Sequence, residues 1–199
     1  AYQCYLNVLQ VDTENYHCLK GIAWLAFSYE KNTTAAKEIL LFLQQAHPVP
    51  DYDLLLAEIA AYEQNEKLNR EYTASFINKV SAPEYGDMYN TYLFELLADE
   101  HTAQAMAIAQ KEIQNRPTAQ SYDLLSWAHY KQGNYKEALH IATSYVENKC
   151  FEPIAQYHLA VICKANGNNT KAKQLLKEVK TAFVELGPVF EQNFYNQNF

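Results

Sequence analysis

The sequence predicts an all-α chain built as an array of antiparallel helix pairs, and three observations carry that prediction. The stretch SYDLLSWAHYKQGNYKEALHIA, Ser121 to Ala142, recurs downstream: Gly133 is answered by Gly167, Ala138 by Ala172 and Leu125 by Leu159, each 34 residues on. Alanines at 36, 105, 138 and 172 fall close to multiples of the same period. The 199 residues include only 5 glycines and 6 prolines, which suits long helices joined by short loops better than many short strands.

Taken in order, Ala1 to Gln10 reads as an unpaired second helix, ending at the turn Asp12, Thr13, Glu14 and Asn15. From Tyr16 to about Lys31, Leu19, Ile22, Ala23 and Ala26 share one face at helical spacing. Asn32, Thr33 and Thr34 break that helix and can cap the next, which carries Ala36, Ile39, Leu40 and Leu43 and stops before Pro48. Pro48 and Pro50 bracket a linker, after which Asp51 is expected to cap a helix running to about Gln64. Its partner, Glu66 to Val80, lacks the small residue expected near Arg70, so the register there is open by one residue. SAPEYGD is the longest loop, and Gly86 in it predicts a positive φ or a tight turn. Three pairs follow: Asp87 to Asp99 with Thr102 to Asn115, Thr118 to Gln132 with Tyr135 to Asn148, and Glu152 to Asn166 with Thr170 to about Val184. Pro153 falls in a first helical turn, where its missing N–H is not needed.

Tyr122, Leu125, Ser126, Gly133, Tyr135 and Ala138 resemble the tetratricopeptide repeat pattern: an aromatic, a leucine and a small residue on a first helix, then a turn glycine and an alanine on a second. The resemblance implies a right-handed α-α superhelix. Its repeats would be 15–50, 51–84, 85–117, 118–151 and 152–186, with a half repeat at 1–14 and a C-terminal cap segment at 187–199, all in one solenoid domain. The register also implies that the chain starts halfway through a repeat and belongs to a longer protein. EKNTTAAKEIL, YGDMYNTYLFE, NRPTAQSYDLLSWAHY and ELGP make it similar to tetratricopeptide proteins of the bacterial cell envelope, which implies a periplasmic setting.

For this family the resemblance implies a non-catalytic scaffold holding a peptide or protein segment against a concave face made by the first helices. Trp24, Phe94, Trp127 and Val161 fall at equivalent positions on that face, with Ile59 or Glu58 between them, and Tyr62, Asn90, Asp123, Tyr130 and Tyr157 lie nearby. Aromatics give large contact area at small entropic loss, which suits recognition of a peptide or a sugar. The competing reading is that Trp24, Phe94 and Trp127 pack between adjacent helices. A partner-facing tryptophan leaves much of its ring exposed in the isolated chain, which separates the two. The pattern is also compatible with a glycan- or small-ligand-binding module, which would need a closed aromatic pocket, and with a structural spacer.

Composition narrows the partner. A net charge of −7, with Arg70 and Arg116 as the arginines, disfavours nucleic acid, and Lys171, Lys173, Lys177 and Lys180 read as a solvated helix face. The longest apolar run, Ile39 to Leu43, is far too short to span a bilayer. Cys4, Cys18, Cys150 and Cys163 have no paired spacing and read as small buried hydrophobes. Glu14 with His17 and Glu137 with His140 have Glu-x-x-His spacing, but one pair lies in a turn and the other on an outward face by the family register. His158 and Cys163 diverge by about 140 degrees around a helix, and Cys4, His17 and Cys18 lack a fourth zinc ligand. Asp51, Asp53 and Asp87 are accounted for by capping and the helix dipole. Neither a metal, a cofactor nor catalysis is expected. Phe190, Phe194, Tyr195 and Phe199 are too apolar to stay in water, so the tail is expected either to cap the fifth repeat or to lay its last residues in a groove.

Overall fold

The computed structural model describes residues 1–197, leaving Phe199 outside the described residues. It is all-helical, and no strand occurs among the described residues. The helices are α1 (Tyr2–Leu9), α2 (Tyr16–Ser28), α3 (Thr33–Ala46), α4 (Pro50–Tyr62), α5 (Glu66–Val80), α6 (Asn90–Leu97) and α7 (Thr102–Asn115). Then come α8 (Ala119–Lys131), α9 (Tyr135–Ile141), α10 (Pro153–Ala165), α11 (Asn169–Val179), α12 (Phe183–Leu186) and α13 (Pro188–Asn196). Each long helix packs mainly on its neighbours in sequence, the arrangement a helical repeat requires.

One turn is made four times. A residue at positive φ is followed by asparagine at Lys31-Asn32, Gln64-Asn65, Gly133-Asn134 and Gly167-Asn168, with φ of 57°, 59°, 80° and 83° at the first residue of each. Asn32, Asn65 and Asn168 accept from the N–H three residues on at 3.1, 3.2 and 3.3 Å, capping the second helix of each pair. The asparagine N–H donates back to Ala60, His129 and Cys163 in the last three turns, and to Ala26 in the first, which is one residue longer. This turn settles the open register. Counting back from it, Glu58 and not Ile59 stands in line with Trp24, Trp127 and Val161, and Asn69 takes the place of Ala36, Ala138 and Ala172.

That substitution explains the irregular second pair. Ala36, Ala105, Ala138 and Ala172 are all at most 2% exposed, where small side chains let two helices approach. Asn69 instead donates 2.9 Å to the Ala57 carbonyl on α4, filling the crossing with a hydrogen bond.

Several boundaries differ from the sequence reading. Pro50 opens α4 at its first turn, with Val49 as N-cap, so Pro50 is inside the helix and Asp51 is not its cap. Asp53 is 1% exposed and takes Gln44 and Ser75 at 2.7 and 3.1 Å, together with Lys79, so it ties α3 and α5 to α4. The third pair begins only at Asn90, because Pro83–Tyr85 forms a 3-10 turn and Gly86 adopts φ +51°. After Ile141, α9 loosens into a π turn, Ala142–Val146, where Tyr145 stacks on Tyr122 at 4.0 Å.

The contacts group the chain into two compact units, Ala1–Glu84 with Phe183–Phe199, and Tyr85–Ala182. The core of the first is Ala23, Phe27, Ala36, Leu40, Leu43, Leu56 and Ile59. The second buries Phe94, Leu159, Ile162 and Cys163. Cys18 and Cys150 are buried too, and Cys4 is exposed. The two tail helices pack within the first unit, α12 on α2 and α13 on α4. Their aromatics supply the reason. Phe183 meets Phe194 at 5.2 Å and Tyr195 at 5.7 Å, forming a small apolar hairpin that needs an apolar face to cover it.

Candidate functional site

The residues expected to face a partner separate by burial. In the second unit Phe94 is fully buried, and Asn90, Asp123, Trp127, Tyr157 and Val161 are each 8% exposed or less. Only Tyr130 keeps part of its surface open. By the exposure criterion, Phe94 and Trp127 are packing residues. In the first unit Trp24 is half-buried against the core, edge-on to Phe27 at 6.0 Å.

The face of Trp24 that remains is covered by the chain's own tail. Gly187, at φ +90°, approaches so closely that a β-carbon there would strike the Glu58 carboxylate and lie 2.9 Å from Trp24 Cη2. Glu58 is therefore withdrawn from water, and this desolvation pushes its pKa from 4.5 to about 7. Lys31 reaches across to Glu191 of α13 at 2.8 Å, holding the tail helix from outside.

In the second unit the first helices carry a polar cluster. The Trp127 indole lies parallel to the rings of Tyr130 at 4.6 Å and His158 at 4.1 Å, and Lys131 Nζ sits 4.8 Å from its centroid. His158 is 1% exposed, and its Nδ1–H donates to Asp123 Oδ2 at 2.9 Å. Its Nε2 is 4.0 Å from Glu95 on α6. Burial alone would lower the His158 pKa, but the Asp123 and Glu95 carboxylates outweigh it and raise it. Glu95 is raised as well, first by desolvation and then by Asp123 and Asp99, against the opposing pull of His158 and Lys131. Lys131 also pairs with Asp99.

Below this cluster is a small cavity of about 40 Å³ among α6, α7, α8 and α10. Its mouth is formed by exposed Thr91, Glu95, Gln120 and Glu152, and Glu112, Ser121 and Asp123 lie buried inside. Glu112 is satisfied on both oxygens, by Asn90 at 2.7 Å and Arg116 at 2.8 Å. Asp123 Oδ1 is buried with no hydrogen-bond partner. Among the described residues no group of three or more His, Cys, Asp or Glu is arranged to hold a metal ion, and no helix is long and apolar enough to cross a membrane.

Sequence reasoning missed Glu95, Lys131 and the His158–Asp123 pair. One signal was present: His158 stands where the repeat register puts Leu55 and Leu124, and a polar residue in a leucine position needs a buried partner. In comparisons with known proteins, no family model matches the chain, and no curated protein matches it.

Proposed function

We propose that this chain is a non-catalytic partner-binding module of tetratricopeptide type, holding a peptide or protein segment on the first-helix side of the Tyr85–Ala182 unit. The assignment to that repeat type is supported by the 34-residue period, the fourfold turn and the buried alanines. The observation that carries the binding site is at the start of α6. Met88, in the turn before α6, and Tyr92, on α6 beside the cavity-lining Thr91, are 65% and 50% exposed, so apolar surface lies in water next to an acidic cavity. Apolar patches rimmed by charge are characteristic of interaction surfaces. The binding residues therefore shift from the buried Trp127 and Phe94 to Met88, Tyr92, Glu95 and Tyr130.

The structural spacer is the second reading, favoured by the burial of Phe94, Trp127, Tyr157 and Val161. A glycan pocket is disfavoured, because the Trp127 ring is already stacked with Tyr130 and His158. The test is capture from lysate of the native organism with the wild-type chain and with Met88→Ser/Tyr92→Ser, followed by calorimetry with the purified captured protein. Both positions are exposed, so the variant keeps its fold. A protein that binds the wild type and loses about tenfold or more with the variant supports the reading. Equal binding to both would overturn the Met88 and Tyr92 site, and no binding to either leaves the spacer.

A further inference from the structure

We infer that the seat on α2 and α4 is an interface between copies of this chain: residues 183–197 of one copy dock on the Trp24–Glu58 face of another, and the two chains exchange tails reciprocally. The inference concerns the first unit and goes beyond the partner-binding face proposed on the second.

The tail is a separable piece. Phe183 meets Phe190 at 6.3 Å as well as Phe194 and Tyr195, and Phe190 meets Phe194 at 6.2 Å, so its aromatics pack largely on one another. The core beneath, from Ala23 to Ile59, is built by α2, α3 and α4. α13 buries Pro188 and Phe194, and Glu191 stands between them at the same three-residue spacing, so the helix is docked by one stripe. Lifting that stripe leaves the core of the unit intact. The joint also permits it. The tail leaves the 3-10 turn Lys180–Ala182, in which no residue is buried, so a change of φ and ψ there redirects the tail without opening a core.

The seat selects its occupant. Gly187 lies against Glu58 and Trp24 at φ +90°, a place where a β-carbon is blocked by its neighbours and disfavoured by the backbone. Lys31 adds a charge that selects the carboxylate of Glu191. A lifted tail uncovers Trp24 and Glu58, and the surface left behind fits a glycine followed by an apolar stripe with an acid in its middle. A second copy carries that segment in every detail. Each contact given up within one chain is then regained between two, which makes exchange a low-cost route to a dimer. The joined form accordingly grows with protein concentration.

The test uses charge to separate contacts within a chain from contacts between chains. In the full chain, Lys31→Glu puts two acids at its own seat, and Glu191→Lys puts two bases there. In an equal mixture of these variants, opposite charges meet at both seats, but only between unlike chains. Both side chains are about one-third exposed and lie outside the core, so both variants keep their fold, which circular dichroism checks. The readouts are light scattering after size exclusion, and energy transfer from a donor on one variant to an acceptor on the other. A dimer of unlike chains about tenfold or more above the dimers of either variant alone is expected. Adding Gly187→Ala to both variants should abolish it, because the β-carbon fills the seat. A control without that destabilising change is the double variant Lys31→Glu/Glu191→Lys. It should form no dimer with the wild type, since both seats between unlike chains then hold like charges. A mixture that stays monomeric would overturn the inference. So would a dimer that survives Gly187→Ala, or one that forms equally between the double variant and the wild type.

Discussion

Glu58 should make the first unit less stable as pH rises. Its carboxyl is covered by Gly187 and Trp24, and loss of hydration raises its pKa from 4.5 to about 7. Between these two values the folded chain holds a proton that the unfolded chain has released. The resulting stability is fully present below about pH 4.5 and is lost as pH rises through about 7. At about 1.4 kcal/mol per pKa unit the loss is about 3 kcal/mol. Glu58→Gln keeps the shape and removes the titration, so the variant should match the wild type near pH 4 and exceed it by about 3 kcal/mol near pH 8. The assay is urea denaturation of both chains across that range, read by circular dichroism and by tryptophan fluorescence, since Trp24 adjoins the carboxyl. His158 and Glu95 also have raised pKa values and slope in the same direction, so only the difference between the two chains reports on Glu58. Parallel pH profiles for the two chains would refute the assignment of a buried, protonated Glu58.

Three further outcomes are expected. Gly187→Ala would place a methyl group against Glu58 and Trp24 at a φ of +90°, so it should destabilise the first unit by about 2–4 kcal/mol and make the tail sensitive to protease; an unchanged digestion pattern would contradict that seat. Gln64→Gly relieves a side chain at φ 59° in a turn where Gly133 and Gly167 stand elsewhere, and should raise stability by about 0.5–1 kcal/mol in the same denaturation assay. Asp53→Ala leaves Lys79, Gln44 and Ser75 without their shared acceptor at a 1% exposed position, so a loss of about 2–4 kcal/mol is expected in the denaturation midpoint.

The helix pairs were readable because their determinants are local. Thr102–Asn115 and Glu66–Val80 lie where periodicity puts them, and Asn32 caps as its side chain predicts. The first two turns were harder to read, since Lys31 and Gln64 occupy the positive-φ position without being glycine and only the asparagine that follows reveals them. The start of α4 departs from expectation because Pro50 has the chemistry of a breaker within a helix, whereas a proline in the first turn fits one. The site was legible to the level of which helices face it. Which residues line it was not, because Trp127 and Phe94 have the amphipathic chemistry of a partner surface and that of a core alike. Glu95 and His158 come within 4.0 Å of each other although they lie far apart in sequence, a relation that no short spacing encodes. The tail's destination is similarly non-local: its aromatics predict burial, but not burial on α2 and α4.

The first unit is interrupted in the order of synthesis. Residues 1–84 leave the ribosome first, and the hairpin beginning at Phe183 that completes their packing leaves after the whole of Tyr85–Ala182. At roughly 5–20 residues per second that interval is on the order of 5–20 s. Throughout it Trp24 and Glu58 lack the glycine that covers them, and Glu58, hydrated, titrates as an ordinary carboxylate. The second unit is continuous in sequence and can fold before the first is complete. A nascent chain stalled within it therefore presents a wet, acidic and aromatic surface to chaperones, which the finished protein withdraws.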